Sequence, residues 1–467
     1  MEKTLIVTWW EEFLRWMGIG RPRQPERPAA KAIPLPRPPE PQKQAAAGPG
    51  FSATAGDQIR PARTAGLDRA RARLRDILTP SQPVVDLRAF AGRKQTLERL
   101  ISAIEDQRLH VVLYGSRGMG KTSLLHVISQ RAREARYHVF YGSCGIGTQF
   151  GDLFRSILSD IPLRFHTDFA GGQAEGGRVR SLAESLPDGD LTPRQVSDVL
   201  SKLTGTRIII IIDEFDRSDP GEFRQSVADL IKSLSDRAAR VQLLIAGVGS
   251  NLSELIEHIP SIQRNILGMQ IPPMSAGEMN ELLDIARQQI GLTFADEAAS
   301  LITATAQGWP YAASLISHHA GLAALRRGTL DVSQEDVVTA IGEAAEEVGG
   351  RLPSTAIREI DYARAKIGDS SLASAAMTHI VCGGEFTARN LAAVTEAEST
   401  TAAGTAAIDQ LASEGILLEA RQDRFGKSYQ FLDIAVPLYL WLATARDAYR
   451  GPGVARADTS SVQAHEA

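Results

Sequence analysis

Five short apolar runs alternate with longer stretches whose apolar side chains recur every three or four residues, and this alternation organises the middle of the chain. The runs are Val111-Val112-Leu113, His138 to Ser143, Arg207 to Ile212, Val241 to Gly247 and Met269 to Ile271. The third holds five consecutive isoleucines, which suits a strand buried on both faces. Helical spacing precedes the first run, at Leu97, Leu100, Ile101 and Ile104, and follows it from Ser123. It returns over Phe150 to Leu158, Pro193 to Leu203, Glu222 to Arg237, and near Leu252 to His258. Strands and helices in such alternation predict a parallel sheet with right-handed crossovers. Residues 160–190, rich in Gly, Asp and Ser, interrupt the pattern and read as an insertion or mobile loop.

Beyond the sheet, helical spacing from Ser275 to Glu347 predicts a helical subdomain. Ser354 to Leu442 then predicts three helices and two short strands, Ile416 to Ala420 and Ser428 to Leu432, with Arg421 to Lys427 as the hairpin tip. Three helices and a β-wing make a winged-helix pattern. At the other end, Ile6, Trp9, Trp10, Phe13, Leu14 and Met17 line one side of a short amphipathic helix, with Glu11 and Glu12 opposite. Proline-dense residues 21–41 detach it from the rest, so it needs a partner groove, a membrane interface or the protein's own body to cover it.

The predicted organisation is an amphipathic helix (1–20), a Pro-rich linker (21–55), a basic helical connector (56–83), an α/β core (84–274), a helical lid (275–350), a winged-helix domain (351–445) and a disordered tail (446–467). The connector carries Arg69, Arg71, Arg73 and Arg75, either a solvated face or a nucleic-acid contact.

Composition narrows this picture. A chain of 467 residues with 43% hydrophobic content supports two to four domains and is not a disordered protein. Through Pro80, 14 Lys and Arg stand against 8 Asp and Glu; afterwards the balance is 37 against 47. A body of that sign has no overall attraction for nucleic acid, so any DNA affinity must come from a local patch or the N-terminal arm. The two cysteines, Cys144 and Cys382, match no zinc or redox spacing and fit a reducing compartment. No apolar run approaches the ~18 residues of a membrane span, and no secretory signal opens the chain, so a cytosolic protein is expected.

The strongest chemical signal is Gly115-Ser116-Arg117-Gly118-Met119-Gly120-Lys121-Thr122, set between the first predicted strand and a helix starting at Ser123. Glycines there let backbone N–H groups converge on phosphate oxygens, helped by the positive end of the helix. Lys121 would reach the β and γ phosphates, and Thr122 would offer its hydroxyl to Mg2+. Asp213 ends the isoleucine strand, where a carboxylate can hold Mg2+ through water, and Glu214 is the candidate to orient or deprotonate an attacking water. Asp216 and Arg217 can pair with each other. Ser250 and Asn251 suit either a γ-phosphate contact or a helix N-cap. Arg264 suits either a plain surface position or phosphoryl-charge stabilisation in a neighbouring subunit.

The order of these motifs resembles the AAA+ ATPases, in the branch holding origin-recognition initiators and STAND signalling ATPases, over residues 84–442. The resemblance implies a P-loop NTPase parallel sheet with a helical lid followed by a winged helix, and binding of ATP with Mg2+. It makes Phe90, Gly92 and Arg93 the segment beside the adenine, Asp213 and Glu214 the Walker B pair, Asn251 sensor 1 and Arg264 the arginine finger of a homo-oligomer. In the lid, Gly308-Trp309-Pro310-Tyr311 lacks an arginine, and this Gly-x-Pro form, with Pro310 at the nucleotide, looks more like the STAND branch. The expected recognition helix, Thr400 to Ser413, has no Lys or Arg and carries Asp409; only Arg421, Arg424 and Lys427 at the wing are basic. The reading is therefore an ATP-driven switch that signals to a protein partner through its winged helix and N-terminal helix, with a DNA-clamping initiator or transposition-type ATPase as the alternative.

Overall fold

The computed structural model describes residues 65–167, 180–249, 251–256, 262–395, 398–423, 426–433 and 435–450. The expectations for the N-terminal helix, the Pro-rich linker, Ser250 and Arg424 lie outside these residues. The chain divides into two compact units between Arg69 and Ala70. Of the first, only residues 65–69, the opening of helix α1 (Ala65–Ile77), are described.

Five parallel strands form the central sheet: β1 (His110–Gly115), β2 (His138–Ser143), β3 (Ile208–Asp213), β4 (Val241–Val248) and β5 (Ile266–Gln270), in the order β2-β3-β4-β1-β5. Every residue of β3 is buried, because the strand is central and covered on both faces. Ile208, Ile210 and Ile212 share a core with Phe154 of α4 (Phe150–Ser159), Leu200 of α5 (Pro193–Leu200) and Val227 of α6 (Glu222–Asp236). Helices α2 (Lys94–Glu105) and α3 (Lys121–Glu134) flank β1 in sequence, and a single turn, α7 (Leu252–Leu255), follows β4. The register aligns Gly115 with Val248 and Ser143 with Asp213, so the carboxyl ends of four strands meet at one edge.

The described parts of 160–190 correct the mobile-loop expectation. Ile161, Leu163, Leu182 and Leu186 are buried in the same core, and Pro162 bridges to Ser181. Apolar residues at irregular spacing were enough to pin this segment, although they follow neither helical nor strand period.

The lid comprises α8 (Ala276–Ile290), α9 (Asp296–Ala306), α10 (Pro310–Arg326) and α11 (Gln334–Gly349). Between the helices run two short paired strands that helical spacing did not anticipate, β6 (Thr293–Phe294) and β7 (Asp331–Val332). Ala70, Leu74 and Leu78 are buried, Arg73 donates to the Gln289 carbonyl at 2.7 Å, and the Leu74 methyls lie beside Gly321 of α10. Residues 70–78, which carry Arg71, Arg73 and Arg75, are thus seated on the lid, and the compact unit starts at Ala70, ahead of the expected Val84.

A C-terminal unit follows: α12 (Ser354–Cys382), β8 (Glu385–Thr387), α13 (Ala388–Thr395), α14 (Glu398–Ser413), β9 (Leu418–Asp423), β10 (Gly426–Phe431) and α15 (Ala435–Arg450). Helix α12 is broken at Gly368, whose φ of 79° and ψ of 157° are open to glycine and closed to most residues. The three strands are antiparallel in the order β8-β10-β9. Strands β9 and β10 run further than expected. Arg421 pairs with Ser428 and Lys427 with Gln422 inside the ladder, which leaves only residues 424–425 between them. Helix α15 also extends to Arg450, into the stretch expected to be disordered. It packs along the lid: Trp441 Nε1 donates to the Thr305 carbonyl at 2.7 Å, and the Tyr439 ring abuts Gly349.

Candidate active site

Strand β1 ends at Gly115 and α3 begins at Lys121, so the glycine-rich segment is a tight loop at the carboxyl edge of the sheet. Gly120, at the N-cap of α3, has φ 84°, a left-handed turn that sets the first N–H groups of the helix facing outward. No side chain caps them. An anion placed there meets both free donors and the positive end of a 14-residue helix. Lys121 is buried and folds back over the loop, donating to the carbonyls of Gly115 at 2.7 Å and Ser116 at 2.8 Å. Burial pushes its ammonium pKa down to about 8, against the pull of Asp216 and Asp213. Arg117 is exposed, and Met119 is buried beneath the loop.

Asp213 is buried at the end of β3, and its carboxylate accepts three hydrogen bonds. Oδ2 accepts from the Thr122 hydroxyl at 2.8 Å and from the Tyr141 hydroxyl at 2.6 Å, while Oδ1 accepts from the Glu214 N–H at 2.8 Å. Burial and the Asp213 contact both hold the Tyr141 phenol protonated, with its pKa raised. A Thr hydroxyl against an aspartate, beside the uncapped N–H groups that open α3, is a hard-oxygen pair of the kind Mg2+ uses alongside substrate phosphates. Among the described residues no cluster of three or more His, Cys, Asp or Glu is placed to hold a metal by itself. The fit is therefore to a cation that arrives with phosphate oxygens.

Glu214 lies just beyond the strand with φ 52°, an uncommon backbone state for a non-glycine residue and one that turns its side chain out of the sheet. Its carboxylate pairs with Arg217 at 2.9 Å and receives a weak contact from Ser143 Oγ at 3.4 Å. This corrects the expected Asp216 to Arg217 pair. Asp216 instead accepts from the Val248 N–H at 2.7 Å and ties the turn to β4.

Beside the loop, Val84, Phe90, Met119, Leu282, Ile285 and Pro310 line a largely apolar cavity open to Gly120, with Ser123 and Arg93 at its wall. Its apolar lining suits the face of an aromatic ring. Arg93 acts as a brace: it is buried and donates to the carbonyls of Pro272 at 2.5 Å and Met119 at 3.3 Å. The backbone N–H groups of Gly92 and Arg93 are held by Glu281 at 2.9 Å and Glu278 at 2.6 Å. The Ser123 hydroxyl accepts from the Val84 N–H at 3.0 Å and fixes the cavity's rim.

The other sequence candidates fall further out. Asn251 is the N-cap of α7, its Oδ1 accepting from the Glu254 N–H at 3.1 Å. Arg264 is exposed in the turn before β5, two residues from Ile266, which pairs with His110 at the opposite end of β1 from the loop. Five residues of strand separate it from Gly115, roughly 17 Å. At the lid, Pro310 opens α10, and the Tyr311 side chain lies over Gly118.

Sequence reasoning missed several contacts at this site and in the C-terminal unit, including partners of residues it had named. Gly384, in the turn before β8, lies so close to Ser116 that a β-carbon at Gly384 would collide with the serine hydroxyl. Arg421 of β9 forms ion pairs with Glu419 and, across to α7, with Glu254. Lys427 pairs with Asp409 at 2.5 Å. Glu278 was detectable as the third position of a Ser275 capping box, and Gly383-Gly384 as a turn. Nothing local marks Tyr141 as more than a strand residue.

Residues 89–246 match the family model described as AAA ATPase domain. The match takes in the glycine-rich loop and the Asp213-Glu214 pair and ends ahead of Asn251. No curated protein matches the chain. Among solved structures the chain is similar to Cdc6p from Pyrobaculum aerophilum, at 16% identity and a TM-score of 0.43, covering 80% of this chain and 97% of that one. It is also similar to the Aeropyrum pernix ORC1 protein, solved in complex with DNA, at 18% identity and a TM-score of 0.41, covering 80% and 97%. The Thermotoga maritima RuvB Holliday junction branch migration motor gives 16% identity, a TM-score of 0.39, and coverage of 75% and 95%. No helix among the described residues is long and apolar enough to cross a membrane.

Proposed function

Given an AAA ATPase domain at residues 89–246, we propose that this protein is a cytosolic ATP-binding and hydrolysing switch, whose C-terminal unit is a winged helix that rests on the nucleotide site and is released from it. The backbone N–H groups from Ser116 to Thr122 cradle the phosphates, and the apolar cavity at Phe90 and Pro310 takes the base. Lys121 leaves the Gly115 and Ser116 carbonyls to reach the β and γ phosphates. Thr122 and Asp213 would hold Mg2+, which neutralises phosphate charge. Glu214 gives up its pair with Arg217 to orient the attacking water and take its proton. Arg264 is too far from its own loop to serve it, and acts in the site of a neighbouring copy. Asn251 contacts the γ-phosphate only if its cap on α7 opens.

The observation that carries the switch is the closeness of Gly384 to Ser116. Nucleotide phosphates and the winged helix share one small surface, so filling one side alters the fit of the other. The Arg421 to Glu254 pair is a second attachment, and the lid holds the far side of the unit through Trp441. The Gly-x-Pro lid, with Tyr311 on Gly118, supports the STAND-like form of this reading. The same ion pairs weigh against a duplex clamp, because Arg421 and Lys427 are neutralised by carboxylates and cannot also neutralise phosphates without breaking them. The N-terminal helix is proposed to recruit a protein partner.

The deciding experiment is the solution mass of Glu214→Gln with ATP and with ADP, each with and without duplex DNA. Assembly with ATP alone, undone by Arg264→Ala, supports the shared-site switch. Assembly only with DNA favours the clamp, and a monomer throughout removes Arg264 from the mechanism.

A further inference from the structure

The Asp213 carboxylate is held by a residue that phosphate-loop chemistry does not require. Tyr141 lies on β2, the edge strand, opposite Ile211 of β3 and two residues short of Ser143, the register partner of Asp213. Its side chain leans along the strand so that the hydroxyl, and not the ring, reaches Asp213 Oδ2 at 2.6 Å. The ring is fixed from the other side by His126, stacked nearly parallel at an interplanar angle of 7° and a centroid distance of 5.7 Å. His126 belongs to α3, one turn after Thr122, so a single helix supplies both the hydroxyl that meets Asp213 and the plate that holds Tyr141.

The hydrogen-bond inventory gives this contact a direction. An ionised carboxylate only accepts, so both hydroxyls at Oδ2 must donate their single protons to it. With its proton committed, the Thr122 oxygen turns lone pairs away from Asp213, as a metal ligand must. The phenol oxygen is in the same state and can only accept, for example from a metal-bound water. The Glu214 N–H on Oδ1 completes the set and fixes the carboxylate plane.

We propose that Tyr141 is a positioning residue for the divalent cation that accompanies the nucleotide, acting through Asp213 to aim its carboxylate and accepting from the cation's water. This rests on the nucleotide-site reading of Thr122 and Asp213. Hydrogen-bond partners one step removed from a metal commonly change its affinity about 10–100-fold when lost. The residue therefore tunes the metal and leaves the grip on the phosphates to the loop.

The test uses full-length protein and two readouts other than turnover: ADP affinity in EDTA by calorimetry, and Mn2+ affinity of the ADP-loaded protein by the loss of free-ion signal in electron paramagnetic resonance. Tyr141→Phe keeps the ring on His126 and removes only the hydroxyl. It is expected to bind ADP in EDTA within about twofold of wild type while Mn2+ binding weakens about tenfold. A role confined to packing would leave both unchanged. Mn2+ binding as tight as wild type, or tighter, overturns the proposal, as does an equal loss of ADP affinity in EDTA. Failure of the wild-type protein to bind ADP at all sinks the nucleotide-site reading itself, an outcome distinct from the first two.

Discussion

Arg351 donates to the phenol oxygen of Tyr311 at 2.9 Å, so the short link between the lid and the C-terminal unit is tied to a side chain that lies on the glycine-rich loop. Arg351 also forms an ion pair with Glu347, whose other oxygen meets His319 Nε2 at 2.8 Å. The loop, the lid and the link are thereby joined through four side chains, Tyr311, Arg351, Glu347 and His319. Tyr311→Phe removes one hydrogen bond without a cavity, at a stability cost of about 1 kcal/mol. If this link carries the nucleotide's signal, hydrogen exchange of α12 and β8 in Tyr311→Phe will no longer differ between ATP and ADP, although both still bind. An unchanged nucleotide response would remove Tyr311 from the coupling.

The loop assignment is tested most directly at its lysine and glutamate. Lys121→Ala is expected to abolish nucleotide binding measured by equilibrium dialysis. Glu214→Gln should bind ATP with near wild-type affinity and lose general-base assistance, slowing turnover about 10²–10⁴-fold. Normal hydrolysis in either variant would refute the site.

The Arg421 to Glu254 pair offers a charge-swap test of how the C-terminal unit is seated. Both side chains are partly exposed, so the pair contributes at most about 1 kcal/mol and is weakened by salt. Glu254→Lys should speed exchange of bound ADP up to about fivefold at low salt, and the double variant Glu254→Lys with Arg421→Glu should restore the wild-type rate. Equal exchange in all three proteins would mean that the pair latches nothing.

Two buried histidines predict acid sensitivity. His110 accepts the Leu243 N–H on Nδ1 at 2.9 Å and must be neutral to do so; burial lowers its pKa to about 4. Burial lowers His379 to about 3, and neither of its ring nitrogens has a hydrogen-bond partner. Folded pKa values below the unfolded ~6.5 mean that the unfolded chain binds more protons, so this stability is present above about pH 6.5 and is lost as pH falls toward 4 and 3. By pH 5 the two together remove about 4 kcal/mol. Denaturant unfolding of wild type and His379→Leu at pH 7 and pH 5 should show the variant losing about half as much from these groups. Identical pH slopes would count against a buried neutral His379.

Trp441 fastens α15 to the lid through its indole and the Thr305 carbonyl while buried. Trp441→Ala should cost about 3–5 kcal/mol of stability, read by thermal unfolding. A loss below about 1 kcal/mol would show that the α15 contact is loose.

What the sequence determined alone is what local chemistry determines. The glycines, lysine and threonine of residues 115–122 dictate a turn between strand and helix whatever surrounds them, and five isoleucines in a row dictate a buried strand that ends at Asp213. Periodicity also marked Ser275 to Glu347 as helical, without delimiting its helices, and placed the paired C-terminal strands to within a few residues. It could not show that residues 161–163 and 182–186 are pinned, because their apolar positions follow neither period. Nor could it show what covers what. Arg93, at the wall of the apolar cavity, is also a brace on Met119, which sequence could not show because only the folded chain brings Pro272 and Glu278 to it. The partners of Glu214, the hydroxyl of Tyr141 on Asp213, the Arg421 to Glu254 pair and Gly384 against Ser116 were likewise left to tertiary structure. A residue's period reports that it will be buried or exposed. Which distant group it meets is settled only when the elements pack, since most of these partners are separated by tens to hundreds of residues and no local preference acts over that range.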